Sequence, residues 1–184
     1  MSDFSVPGRE SGSPRWHFES LLPLPEFEHL ASGGAWVEFL MRAKEQIVGG
    51  RRVLGSVHLP TVQGQLKGVF SWMLEEVFGG MPDFLVVLED DYWKAATPRE
   101  REILVYHELC HTEHKRDKEG ELRFDVEERP VWGIVGHDVE EFNAVVRRYG
   151  AHSAEIQAFI GAASAGDAGR TTGKVEIDLL KRPL

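Results

Sequence analysis

Residues 107–111 read His-Glu-Leu-Cys-His, an HExxH pattern, and this stretch places the tightest demand on the fold. Two histidines four positions apart can reach one metal ion only when the segment is helical, because a turn of α-helix returns the chain to the same face. The same turn brings Glu108 next to that ion, where a carboxylate can handle a proton of bound water. The competing interpretation is two solvent-facing or hydrogen-bonded core histidines with no ion between them. A helix start precedes the motif at a suitable distance. Thr97 can cap, Pro98 suits the first helical position and Glu100 completes the capping-box spacing, which predicts a helix carrying His107 to His114.

An open zinc site takes three protein ligands and leaves a fourth position for water or substrate. His137 is the first candidate for the third ligand. The 25 residues between His111 and His137 leave room for a returning strand and loop, and a capped helix follows. Glu140 and Glu141 are alternatives, since carboxylates also bind zinc, although Glu141 already has a role in a capping box with Asp138. His114 is a further alternative, but three ligands from one straight helix would spread along its axis. Cys110 reads as a small buried side chain before it reads as a ligand. Asp138 could orient His137 or cap the next helix, and the cap is preferred. Arg148 and Tyr149 could steady a substrate oxygen, or serve as a solvated cation and a core contact.

Elsewhere the apolar pattern alternates between helix and strand periods. Trp36, Phe39, Leu40, Ala43 and Ile47 predict a core helix ended by Gly49 and Gly50. Val53, Gly55, Val57 and Leu59 predict a strand, and Leu66, Val69, Phe70, Met73 and Val77 the packed stripe of a helix after it. Residues 83–88 predict another strand, with Glu89, Asp90 and Asp91 as an exposed exit. A short strand at 121–126 and a redirection of the chain at 132–136 follow. A helix along Val139, Phe142, Val146 and Tyr149 should stop at Gly150, with a helix at 152–160 and a strand at 174–180 beyond it. These elements make an α+β fold. Residues 1–15, crowded with Ser, Gly and Pro, read as a flexible arm, 16–160 as the folded domain, 161–173 as a Gly/Ala-rich linker and 174–184 as a C-terminal strand or tail.

At 184 residues the chain has the size of one ordinary domain. Its 30 acidic and 21 basic side chains leave a formal charge of -9, which disfavours a broad nucleic-acid-binding surface. The single cysteine forbids an internal disulfide, and neither a signal-type leader nor an 18-residue apolar run is present; a cytoplasmic, non-membrane protein is expected. Oligomeric state stays open, because an apolar helix face serves core or interface equally well.

Four pieces of the sequence together resemble a phage-type zinc metallopeptidase family that also occurs in bacterial chromosomes. They are VLGSVHL at 53–59, PDFLVVLEDDYW at 82–93, HELCH at 107–111 and GHDVEEFNAVVRRYG at 136–150. The resemblance implies a compact zincin-like α+β domain, with a small sheet against the HExxH helix and a ligand at the start of a downstream helix. It implies a Zn2+ cofactor held by His107, His111 and His137, with Glu108 as the catalytic carboxylate. The chain also distantly resembles the SprT-type arrangement, but Phe142 stands five positions after His137, and no long basic patch supports action on DNA-bound protein. The expected activity is zinc-dependent hydrolysis of a peptide or protein substrate with Glu108 as general base. The nonenzymatic alternative is a catalytically inactive, zinc-supported interaction or anti-host protein.

Overall fold

The computed structural model describes residues 3–62, 64–139, 146, 150–151 and 153–167. The chain divides into two compact units, with the break in sequence between Val135 and Gly136. In chain order the first unit carries β1 (Phe4–Ser5), α1 (Pro14–Leu21), a 3-10 turn at Pro25–Phe27, α2 (Glu28–Gly33), β2 (Val37–Arg42), β3 (Ile47–Val48) and β4 (Arg51–Arg52). It continues with β5 (Gly55–His58), α3 (Lys67–Phe78), β6 (Phe84–Glu89), α4 (Asp90–Ala95), α5 (Pro98–Cys110), β7 (Thr112–His114) and β8 (Trp132–Ile134). In the second unit the described helix is α6 (Ala154–Asp167). The result is an α+β fold, and no helix among the described residues is long and apolar enough to cross a membrane.

A mixed sheet ordered β1-β2-β6-β5 forms the centre of the first unit. β2 runs parallel to β6, from Val37 opposite Phe84 to Arg42 opposite Glu89. β5 runs antiparallel along the other side of β6, with Gly55 opposite Leu88 and His58 opposite Leu85. Val37, Phe39, Phe84, Val86 and Leu88 join Phe18 of α1 and Leu104, Val105 and Leu109 of α5 in one buried cluster. Each such side chain removed from water contributes about 1.5–3 kcal/mol, so this cluster fixes how α5 is rotated against the sheet.

The stretch expected as a core helix around Trp36 to Ile47 is instead the strand β2. Five of its six residues are buried: Val37, Phe39 and Met41 lie in the core cluster, Glu38 is met by Arg15 of α1, and Arg42 donates to Lys44 O, Gln46 Oε1 and Val53 O. Val37, Phe39 and Met41 do alternate into the core, but Leu40 interrupts the alternation, and Trp36, Phe39, Leu40, Ala43 and Ile47 also match a helical spacing. Helix α3 forms where predicted, but Leu66, Val69, Met73 and Val77, four of the five residues of its expected packed stripe, are exposed. Leu74 faces inward in their place. The exit from β6 also differs: Glu89 is 1% exposed, because Arg52 reaches it from β4 with both Nε and Nη2.

The segment read as an arm contains β1, which pairs antiparallel with Arg42 and Met41, and the first turn of α1, where Ser13 accepts from Trp16 N at 3.2 Å and Pro14 follows the cap. A two-residue edge pairing is held by backbone hydrogen bonds and leaves no apolar periodicity to read. Residues 121–126 form single bridges, Arg116 with Leu122 and Phe124 with Pro130, in place of the expected strand. Trp132–Ile134, expected to redirect the chain, is β8 and pairs with β7. In the second unit α6 starts near the expected helix and extends through Gly161–Asp167, the first part of the segment read as a linker. The expected strand at 174–180 and most of the helix at 139–149 lie outside the described residues. Gly150 adopts a left-handed φ of 70°, and its N–H donates to the Val146 carbonyl at 2.8 Å, as a helix stop requires.

Candidate metal centre

The capping box is formed as the sequence specifies. Thr97 Oγ1 accepts from Glu100 N at 3.3 Å, and Glu100 Oε2 accepts from Thr97 N at 2.7 Å. From this start α5 runs to Cys110, and Leu104, Val105 and Leu109 bury the side that meets the sheet. The helix therefore stops before the predicted His114. His111 is its cap residue, and Thr112 to His114 leave as β7. One turn of helix separates His107 and His111, both half-buried, and their ring centroids stand 5.1 Å apart at 79°.

Strand pairing anchors the second of these rings. Val135 N donates to His111 O at 2.9 Å, continuing the ladder of β7 and β8, and Val135 O lies 2.7 Å from His111 Nδ1. A carbonyl oxygen only accepts, so the proton of the neutral ring sits on Nδ1 and the lone pair on Nε2. Histidine ligands are commonly oriented by such a bond, with the opposite nitrogen offered to the metal. His137, two residues beyond Val135, is exposed. The ligand-capable atoms of His107, His111 and His137 all lie within 4.8 Å of one another.

This donor set fits zinc. Imidazole nitrogen is a favoured ligand of that borderline-soft dication, and three protein donors, the number in this cluster among the described residues, leave a coordination position for water or substrate.

Glu108 occupies a different environment from its neighbours. It is 3% exposed, and burial pushes its carboxyl pKa up to about 7; a nearby dication acts in the opposite direction. Its side chain lies on the backbone of Gly55 in β5, where a Cβ would fall 2.8 Å from Glu108 Cδ and 3.0 Å from Cγ. Gly55 was read from sequence only as one face of a strand. A glycine inside a strand is the signal that another group approaches the backbone closely, and here that group is the buried carboxylate of Glu108.

The remaining candidates are placed as follows. His114, an alternative ligand, lies buried in β7 between the rings of Phe124 and Trp132, with centroids at 5.1 and 5.2 Å, and its Nε2 donates to Arg123 O at 2.8 Å. Cys110, expected to be buried, is exposed at the helix end. Tyr106, the neighbour of His107, packs edge-on against Phe27 at 5.0 Å. Asp138 is exposed. Glu140, Glu141, Arg148 and Tyr149 lie outside the described residues.

Comparison with known proteins gives one result for the family and none for individual relatives. The family described as "Putative phage metallopeptidase" matches residues 17–164. No curated protein and no solved structure matches the chain significantly.

Proposed function

Because the chain belongs to the phage metallopeptidase family, we propose that it is a zinc-dependent peptidase in which His107, His111 and His137 hold the metal and Glu108 is the general base. The observation that carries this proposal is the convergence of three imidazoles, two of them from the helix that also carries the buried carboxylate of Glu108. Zinc bound there supplies a Lewis acid that acidifies water and polarises a carbonyl.

The protein's own groups then divide the work. The Val135 carbonyl holds the His111 ring by Nδ1 and keeps Nε2 presented. Glu108 takes the proton of the attacking water and returns it to the leaving nitrogen of the cleaved peptide. Burial against Gly55 keeps the carboxylate from wandering into bulk solvent, so its basicity and position are set before substrate arrives.

The test is metal stoichiometry by atomic emission, followed by hydrolysis of fluorescein-labelled casein at matched zinc occupancy. One zinc per chain is expected. His137→Ala should lower zinc affinity and hydrolysis together, and unchanged affinity would remove it from the ligand set. Glu108→Gln should keep the metal and lose about a hundredfold or more in turnover; equal turnover would end its role as base.

A further inference from the structure

We infer that Gly55 is a positioning residue for Glu108: the missing side chain at this point of β5 is the space into which the carboxylate is seated. The inference rests on the peptidase reading for its consequence in catalysis, and on the structure alone for its geometry.

Backbone conformation does not call for glycine here. Gly55 is a regular strand residue paired with Leu88, and it is not among the residues with positive φ. Alanine could adopt the same conformation and would gain strand propensity, so the obstacle to a side chain is steric. Ordinary contact to a Cβ begins at 3.4 Å, whereas Cδ and Cγ of Glu108 would stand at 2.8 and 3.0 Å and Oε1 nearer still.

Something must move, and the surroundings decide what. β5 is held by its register on β6, and Val57, two residues along on the same face, is buried in the core. α5 is held by Leu104, Val105 and Leu109 in that core. The free degrees of freedom belong to the Glu108 side chain, so a methyl group at position 55 would displace the carboxylate while strand and helix stay in place. A misplacement of about 1 Å at a catalytic group costs on the order of a hundredfold in rate. Stability is the wrong place to look for the effect, because the end of a flexible side chain yields at little cost.

The decisive experiment is a two-by-two set in the full-length zinc-loaded protein: wild type, Gly55→Ala, Glu108→Ala and the double variant. Each is assayed for zinc affinity by chelator competition, for kcat and KM on fluorescein-labelled casein, and by crystal structure. Gly55→Ala should retain fold and zinc affinity, lose about ten- to a hundredfold in kcat with little change in KM, and show the Glu108 carboxylate shifted. Alanine at position 108 has neither the Cγ nor the carboxylate that would meet the methyl group, so Gly55→Ala should cost less than about twofold in the residual activity of the Glu108→Ala background. Equal losses in both backgrounds would mean that the substitution acts by loosening β5 and would overturn the inference. So would an unmoved carboxylate in the Gly55→Ala structure. If the wild type at full zinc occupancy cleaves no casein, the peptidase reading fails, while the pair of crystal structures still decides whether Gly55 seats Glu108.

Discussion

His111 Nδ1 lies 2.7 Å from the carbonyl oxygen of Val135, which ties the end of the motif helix to the strand that leads toward His137. The acceptor fixes the tautomer before any ion arrives, because the ring must supply the proton of that bond. Nitrogen-15 spectra of the metal-free protein at alkaline pH should therefore show His111 protonated at Nδ1. Added zinc should shift its Nε2 resonance strongly. A neutral ring carrying its proton on Nε2, or zinc perturbing Nδ1 as the bound nitrogen, would show that Val135 does not set the ligand.

A second prediction concerns Arg52 and Glu89. Arg52 Nε donates to Glu89 Oε2 at 2.8 Å and Oε1 at 3.0 Å, and the carboxylate is 1% exposed. Arg52→Ala removes the partner and strands a charge in the core, so it should destabilise the protein by about 3 kcal/mol in urea unfolding. Lys44 and Asp3 form a comparable pair on the surface, at 2.8 Å, and Lys44→Ala should leave the urea midpoint almost unchanged. Similar midpoints for the two variants would mean that Glu89 finds another partner or water once Arg52 is gone.

The contrast between these two pairs also shows where sequence stopped being informative. Thr97, Pro98, Glu100 and the His107–His111 spacing were legible because the capping bonds and the spacing belong to one helix, and helix geometry converts spacing into position. Glu89 looked like the exposed end of a strand because nothing local reveals that Arg52, far back in the chain, covers it. β2 was misread because Leu40 breaks the alternation of Val37, Phe39 and Met41, and nothing local shows that Glu38 and Arg42 are taken up by partners such as Arg15 and the Val53 carbonyl. Along α3 the spacing of Leu66, Val69, Met73 and Val77 defined a stripe but not its direction, and the fold turned Leu74 inward instead. The closeness of Gly55 to Glu108 belongs to the same class, a tertiary contact whose only local trace is a glycine in a strand.

A third prediction comes from two turns built alike. Asp117 Oδ1 accepts from Glu119 N and Glu121 N at 3.0 and 2.9 Å, and Asp125 Oδ1 accepts from Glu127 N and Arg129 N at 2.8 and 3.0 Å. The left-handed position is Gly120 at φ 89° in the first turn and Glu128 at φ 60° in the second. Glu128→Gly should stabilise by about 0.5 kcal/mol, because relief of the Cβ clash outweighs the extra chain entropy of glycine. Gly120→Ala should destabilise by about 1 kcal/mol. Thermal midpoints moving in the same direction for both variants would contradict this assignment of strain.

The last prediction is a dependence of stability on pH centred on His17. The side chain is buried in α1, edge-on to Trp16 at 5.0 Å and to Trp93 at 5.8 Å, and both ring nitrogens lack a hydrogen-bond partner among the described residues. Burial lowers its pKa below the ordinary 6.5; Glu102 opposes that shift and Arg101 adds to it. The folded protein thus binds this proton less readily than the unfolded chain. Stability rises with pH wherever the unfolded state holds more protons, so the contribution of neutral His17 is complete above 6.5 and is lost as the pH falls through and below that value. His29 and His58 are lowered by burial in the same sense and add to the slope, whereas the carboxylates with lowered pKa, such as Glu100, act only below their ordinary 4.5. Between about pH 7 and pH 5 the Glu108 carboxyl, raised by burial to about 7, binds its proton more readily in the folded protein and acts in the opposite sense, so the share of His17 is read from the difference between variants. His17→Phe keeps an aromatic ring of similar size against the two tryptophans and cannot take a proton, so its midpoint should gain on that of the wild type as the pH is lowered through that interval. If the two curves run parallel, the buried ring either stays neutral throughout or reaches a proton partner that opens as the helix moves, and His17 is not a source of the acid sensitivity.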